Sequence, residues 1–112
     1  MECVQVLTTT DTREEADRLV RVAVERRLAA CGQVVGPITS TYWWNGALET
    51  SSEWQCLFKT TASRLDALGA HLESEHSYDT PEIIATPIAG GSAAYLAWIA
   101  RETEAGPDTA SG

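Results

Sequence analysis

The first third of the chain changes from one hydrophobic periodicity to another. Residues 3–10 are β-branched and apolar on both faces, which predicts a central strand. Thr12 and Glu15 then match a capping box, in which two side chains satisfy free amides at a helix start. We expect this helix to end around residues 29–31, with Gly32 supplying a left-handed turn. Helical spacing predicts its buried stripe: Ala16, Leu19, Val20, Ala23 and Val24.

A long hairpin is predicted next. The extended pattern runs from Gln33 to Trp44 and contains Pro37, which cannot donate a ladder hydrogen bond and therefore marks an edge strand or a bulge. Asn45-Gly46 is a strong signal for a type I′ turn, because both residues accept positive φ. The return strand is expected over residues 47–60, and its alternation predicts a more buried face. The residues assigned to that face are Trp54, Cys56 and Phe58.

The second half of the chain repeats the order of helix and strand. A helix is predicted over residues 63–75, with Ser63 or Thr61 as its cap and with Leu65, Leu68 and Leu72 facing inward. A fourth strand is predicted over residues 81–88. Gly90-Gly91-Ser92 then opens a short third helix, whose larger apolar residues are Tyr95, Leu96, Trp98 and Ile99.

The predicted order is strand, helix, strand, strand, helix, strand, with an added C-terminal helix. This is the α+β class and the βαββαβ order of a ferredoxin-like sandwich, an antiparallel sheet with two helices on one face. We assign residues 1–103 to this domain and expect residues 104–112, which are small and polar, to be a flexible tail. The other face of the sheet is left bare.

The hairpin is too long for the domain that carries it. Strands of some 13 residues reach about 43 Å at roughly 3.3 Å per residue, whereas a domain of this size is only about 35 Å across. The overhang would expose Tyr42, Trp43 and Trp44, and exposed aromatic surface favours association. We therefore expect a symmetric homo-oligomer. The alternative is a hairpin that curls over its own sheet, bent at Gly36-Pro37.

Composition narrows the range of partners. The formal charge of −8 disfavours binding to nucleic acid and to anionic membranes. The three cysteines are widely spaced and form no CxxC pair, which fits reduced thiols in the cytoplasm. The N-terminus carries no basic region followed by an apolar run, so a cytoplasmic location is expected.

Several motifs together resemble the CutA family of divalent-cation tolerance proteins, over about residues 3–102. They are Leu28-Ala29-Ala30-Cys31, Thr39-Ser40-Thr41-Tyr42-Trp43-Trp44-Asn45-Gly46, Glu53, Lys59-Thr60, Tyr78-Asp79-Thr80-Pro81-Glu82-Ile83-Ile84 and Tyr95-Leu96-Ala97-Trp98-Ile99. The resemblance implies a homotrimer similar to the PII signalling proteins, with clefts between subunits. It also implies a small cytoplasmic protein linked to copper and other divalent cations.

This chain departs from the copper ligands proposed for some members of that family. Those members carry a cysteine in the first strand and two adjacent histidines before a Pro-Tyr step. Here the strand position is Thr8, the histidine pair is Glu75-His76, and Ser77 replaces the proline. Because soft copper sites prefer thiolate and imidazole ligands, the departure disfavours direct copper binding.

Two residues are nevertheless candidate metal ligands. His76 is followed by Asp79 and Glu82, and imidazole with carboxylates suits a divalent ion such as copper or zinc. The alternative is a histidine that caps the helix or is exposed to solvent. Cys31 would offer a thiolate, and its alternative is a small buried residue. No cofactor is otherwise indicated.

A cleft between subunits is the other candidate site. Lys59, Tyr78 and Glu82 would meet there with an aromatic residue of the hairpin, Trp43 or Trp44. The alternative is that Lys59 and Glu82 form an intersubunit ion pair that fixes register.

No P-loop, GxGxxG or nucleophile signature is present, so no enzyme is predicted. Three functions remain open, of which the third is a structural oligomer whose clefts bind no ligand. The first is a trimer that contributes to divalent-cation tolerance, and the second is a PII-like scaffold that binds a small ligand or a protein and has no direct metal role.

Overall fold

A computed structural model of the protein describes residues 2–104. The chain forms a four-stranded antiparallel sheet of order β2-β3-β1-β4, which confirms the ferredoxin-like α+β prediction. The elements are β1 (Cys3–Thr10), α1 (Arg13–Glu25), β2 (Cys31–Trp44), β3 (Ala47–Thr61), a 3₁₀ turn (Ala62–Arg64), α2 (Leu65–Glu75), β4 (Ile83–Pro87) and α3 (Ala93–Glu102).

The core has a large layer and a small one, on opposite faces of the sheet. Val4 and Val6 of β1 belong to the large layer, together with Leu19 of α1 and Leu68 and Leu72 of α2. Cys3 belongs instead to a small cluster with Ile99 of α3. Because neighbouring strand residues point to opposite faces, α3 covers part of the face that α1 and α2 leave free.

The start of α1 forms half of the predicted capping box. Thr12 Oγ1 accepts a hydrogen bond from the Glu15 amide at 3.1 Å, but the Glu15 carboxylate turns away and binds Ser77. The predicted apolar stripe is confirmed, because three of its members are buried and two are packed against the core: Ala16, Leu19, Ala23, Val20 and Val24.

The prediction for the end of α1 is wrong. The helix ends at Glu25, and the left-handed residue that follows is Arg27, with φ of 57°. Gly32 lies inside β2, where an added Cβ would come within 2.7 Å of Val20 Cγ1. This glycine therefore allows close packing of β2 on α1. Cys31 opens β2 and does not follow directly on a helix.

The hairpin matches its prediction closely. Asn45 and Gly46 both have positive φ, at 50° and 78°, and the β2–β3 register shifts at Gly36-Pro37. The chain measures 44 × 31 × 22 Å, and at the hairpin tip Trp43 is 74% exposed and Trp44 is 59% exposed. The distal hairpin therefore extends into solvent and does not curl back to bury these side chains.

The second half differs from its prediction mainly at the element ends. A 3₁₀ turn precedes α2, and neither Thr61 nor Ser63 makes a side-chain cap hydrogen bond to the backbone there. The strand β4 is shorter than predicted, while Ser92 caps α3 by accepting from the Tyr95 amide at 3.2 Å. Of the predicted tail, residues 105–112 lie outside the described residues. Among residues 2–104, no helix is long and apolar enough to cross a membrane.

Candidate functional site

His76 begins the segment between α2 and β4, and both of its ring nitrogens are engaged. Nε2 lies 2.8 Å from the Thr9 carbonyl oxygen, and Nδ1 accepts a hydrogen bond from the Tyr78 amide at 3.1 Å. This pair of contacts requires the neutral tautomer with its proton on Nε2. The side chain is fully buried, and Nδ1 lies 3.6 Å from Glu15 Oε2. To bind a cation, the ring would have to give up one of these backbone contacts.

Glu15 holds the same segment from the side of α1. Its carboxylate accepts from the Ser77 amide and from the Ser77 hydroxyl, both at 2.8 Å. Glu15 is only 8% exposed, and hydrogen bonds of this kind are what make a buried carboxylate tolerable. The segment is therefore fastened to the N-terminal turn of α1.

Tyr78 ties the segment to the hairpin. Its phenol donates a 2.7 Å hydrogen bond to Glu53 Oε2, and Glu53 is a buried residue of β3. Burial raises the pKa of Tyr78, and the hydrogen bond and charge of Glu53 raise it further. The phenol therefore stays protonated and can donate throughout the physiological range.

The sequence analysis placed Glu15 in a capping box and Glu53 among the family motifs, but it did not predict the partners of either carboxylate. Glu15 is separated by 62 residues from Ser77, and Glu53 by 25 residues from Tyr78. No local pattern reports contacts over such separations.

Cys31 and Lys59 lie elsewhere, on the face of the sheet opposite α1 and α2. Cys31 Sγ lies 3.4 Å from the Tyr95 hydroxyl, and the Tyr95 ring stacks on Trp98 with centroids 5.5 Å apart. Lys59 Nζ donates to the side-chain oxygen of Gln33. Cys31 and Lys59 are directly paired across β2 and β3.

The single chain does not bring the predicted metal ligands together. Cys31 is aligned with Gln5 through β3, whereas His76 binds Thr9, about 13 Å further along β1 at 3.3 Å per residue. Glu75 faces Arg18 at 3.6 Å. Within residues 2–104, no group of three His, Cys, Asp or Glu side chains is placed to hold a metal ion.

The predicted cleft residues are also dispersed in one chain. Tyr78 contacts Glu53, Lys59 contacts Gln33, and Trp43 lies at the hairpin tip. Glu82 is exposed and is not among the ion pairs of the described residues. A cleft formed by these residues would therefore need a second copy of the chain.

The fold gives the class of this protein, and its similarity to known sequences gives the family. The chain is an antiparallel α+β protein with ferredoxin-like topology. Residues 4–102 match the family model described as CutA1 divalent ion tolerance protein. The chain therefore belongs to the CutA1 family.

Individual relatives support this assignment. Protein CutA 1, chloroplastic, from Oryza sativa is 42% identical over 88% of this chain and 55% of its own length. The divalent-cation tolerance protein CutA from Pectobacterium atrosepticum is 41% identical over 88% of this chain and 89% of its own length. The crystal structure of CutA from Xylella fastidiosa is 36% identical, with a TM-score of 0.90 over 93% of this chain and 100% of that chain. The chain thus spans about half of the rice relative and most of the bacterial ones.

Proposed function

We propose that this protein contributes to tolerance of divalent cations. The observation that carries the proposal is the match to relatives named for that role, at about 40% identity over nearly all of residues 4–102. The same names describe tolerance and no reaction, and we extend the proposal to a protein without catalytic activity that acts in the cytoplasm.

The proposed working form is a homotrimer in which each hairpin lies on a neighbouring copy. Its support is the exposed tip of the hairpin, where Trp43, Trp44 and Leu48 are 74%, 59% and 61% exposed. Aromatic side chains bury about 150–250 Å² each, so covering them stabilises association by several kcal/mol. Assembly would also bring hairpin residues of one copy near Lys59, Tyr78 or Glu82 of another.

Sedimentation equilibrium tests the assembly directly. The wild-type chain is expected at three times the monomer mass at micromolar concentration, and the double variant Trp43→Ser, Trp44→Ser is expected to dissociate. Arg21→Ser serves as the control, because that side chain is 80% exposed on α1. A folded wild-type monomer would refute the trimer.

Cation binding is proposed at clefts between subunits, with His76 and Cys31 as candidate ligands and copper or zinc as candidate ions. Imidazole and thiolate suit these ions, but His76 would first have to release Thr9 or Tyr78. Calorimetric titration with each metal tests this step. Copper affinity that is unchanged in both His76→Ala and Cys31→Ala would exclude these two ligands.

The physiological role is tested in cells. A bacterial strain that lacks its own family member should regain growth in elevated copper when it expresses this chain. The tip double variant, at matched expression, should fail to restore growth if the trimer is the active form. A strain that grows no better with the wild-type chain than with an empty vector would contradict the proposed role.

A further inference from the structure

Lys59 is the only lysine of the chain. It lies in β3, on the face of the sheet that α1 and α2 do not cover. Its direct partners are Gln5 on β1 and Cys31 on β2. Directly paired residues of an antiparallel sheet share a face, with Cβ atoms about 4.5–5.5 Å apart. An ammonium, an amide and a thiol therefore form one row across three strands.

The polar groups of this row are rich in unused donors. The Lys59 ammonium has three protons to donate, and its one side-chain partner in residues 2–104 is the Gln33 oxygen. Within the same part of the chain, Lys59 has no carboxylate at ion-pair distance, and the Gln5 amide makes no side-chain hydrogen bond. The Tyr95 hydroxyl reaches the row at Cys31. Because Cys31 and Tyr95 share that hydrogen bond, one of the two keeps a proton to donate, and no carboxylate within residues 2–104 lies at ion-pair distance from the lysine.

The Lys59 ammonium, without a counterion, would be destabilising once this face of the sheet is covered. Apolar side chains on the same face lie further along the strands, and two of them are well exposed, Val35 at 44% and Ile84 at 51%. Removing an unpaired ammonium from water is costly, and an opposite charge with good hydrogen bonds offsets that cost. In a chain of net charge −8, a lysine with no described carboxylate at ion-pair distance is placed to receive an anion from outside its own subunit.

We propose that Lys59, Gln5, Cys31 and Tyr95 form a binding site for an oxyanion, either a carboxylate or a phosphate. The ammonium supplies the charge, and the amide and the free proton of the Cys31–Tyr95 pair supply further hydrogen bonds. Two sources share this chemistry, a small free anion and a carboxylate side chain of another copy. The second source rests on the trimer proposed above, and the first does not.

Calorimetry on the full chain tests the site, with inorganic phosphate and acetate as probes at pH 7.5 and low salt. Lys59→Met keeps the length of the side chain and removes its charge. Arg13→Met is the matched control, because this side chain is 70% exposed on α1 and pairs with Asp17. Gln5→Leu is a second variant that keeps the lysine, and it guards against a Lys59→Met chain that fails to fold. Sedimentation of each variant, with and without phosphate, reports on the second source.

If the ligand is a free anion, wild type and Arg13→Met should bind a probe with equal affinity. Lys59→Met should bind it about 10-fold or more weakly, and Gln5→Leu should also bind it more weakly than wild type. For a carboxylate of another copy, Lys59→Met should weaken self-association by a similar factor, and phosphate should compete with assembly. Either pattern supports the site. The proposal is overturned if folded Lys59→Met and Gln5→Leu match wild type in both probe affinity and self-association. A monomeric wild-type chain would refute the proposed trimer but not the proposed anion site, because probe binding to the monomer would still test that site.

Discussion

The phenol of Tyr78 donates a 2.7 Å hydrogen bond to the carboxylate of Glu53. This bond joins the segment after α2 to β3, at the rung opposite Ile38 where the β2–β3 register recovers from its shift. The long hairpin and the segment that carries His76 therefore share one fixed point. A displacement of β3 at Glu53 would therefore change the geometry of the Tyr78 hydrogen bond.

Replacing Tyr78 with phenylalanine should destabilise the protein. The change leaves the buried Glu53 carboxylate without this donor, and an unsatisfied buried acceptor costs about 1–3 kcal/mol. Urea unfolding at pH 7 measures the loss. The control is Tyr42→Phe, whose hydroxyl contacts Ser51 on the exposed hairpin at 3.0 Å, and its effect should stay within about 0.5 kcal/mol. Equal effects of the two changes would contradict this account.

His71 should make the protein less stable in mild acid. Burial lowers its pKa below the ordinary 6.5, the charges of Arg26 and Arg18 lower it further, and Glu75 opposes them. The unfolded chain then binds a proton more readily than the folded one, so the free energy of unfolding rises with pH. This contribution is fully present above about pH 6.5 and declines as the pH falls towards the lowered pKa.

The pH dependence of unfolding between pH 8 and pH 5 tests this assignment. His71→Gln should show a shallower decline than wild type, because glutamine does not titrate. Glu73→Gln on the exposed side of α2 should keep the wild-type slope through the range near pH 6.5. An unchanged slope in His71→Gln would show that another group is responsible.

The parts of the fold that were predictable from sequence are those with local causes. Asn45-Gly46 forms its turn because both residues accept positive φ, and Pro37 marks the register shift because it cannot donate to a ladder. The end of α1 was missed for a tertiary reason. Gly32 was interpreted as a turn residue, whereas its use is to let β2 approach Val20.

The candidate site was harder to predict because its contacts are long-range. His76 and Tyr78 were predicted as site residues from their chemistry and from the family resemblance, but their contacts with Glu15 and Glu53 were not predicted. Lys59 was likewise predicted as a site residue, while its neighbours Gln5 and Cys31 became visible only with the strand register. Sequence patterns locate reactive groups, and the sheet register decides which of them meet.

Two threonines of the central strands should respond in opposite ways to valine. Thr8 Oγ1 is buried without a partner among residues 2–104, so Thr8→Val removes an unsatisfied hydroxyl and should stabilise by about 1 kcal/mol. Thr60 Oγ1 donates to the Leu28 carbonyl at 2.7 Å, so Thr60→Val should destabilise by about 1 kcal/mol. Urea unfolding of the pair measures both. Stability changes of the same sign would contradict the hydrogen-bond assignment.

Cys56 should resist alkylation while the protein is folded. Burial raises the pKa of its thiol to about 12, and the charges of Glu15 and Asp17 contribute to the rise. Only the thiolate reacts with an alkylating agent, and a pKa this high makes the thiolate fraction at pH 8 negligible. Cys31 is partly exposed and should be labelled first by iodoacetamide, as followed by peptide mass spectrometry. Cys31→Ser should abolish the fast phase and leave Cys56 reacting only when the chain unfolds in urea. Rapid labelling of Cys56 in the folded state would mean that the layer between β3 and α1 opens far more often than its packing implies.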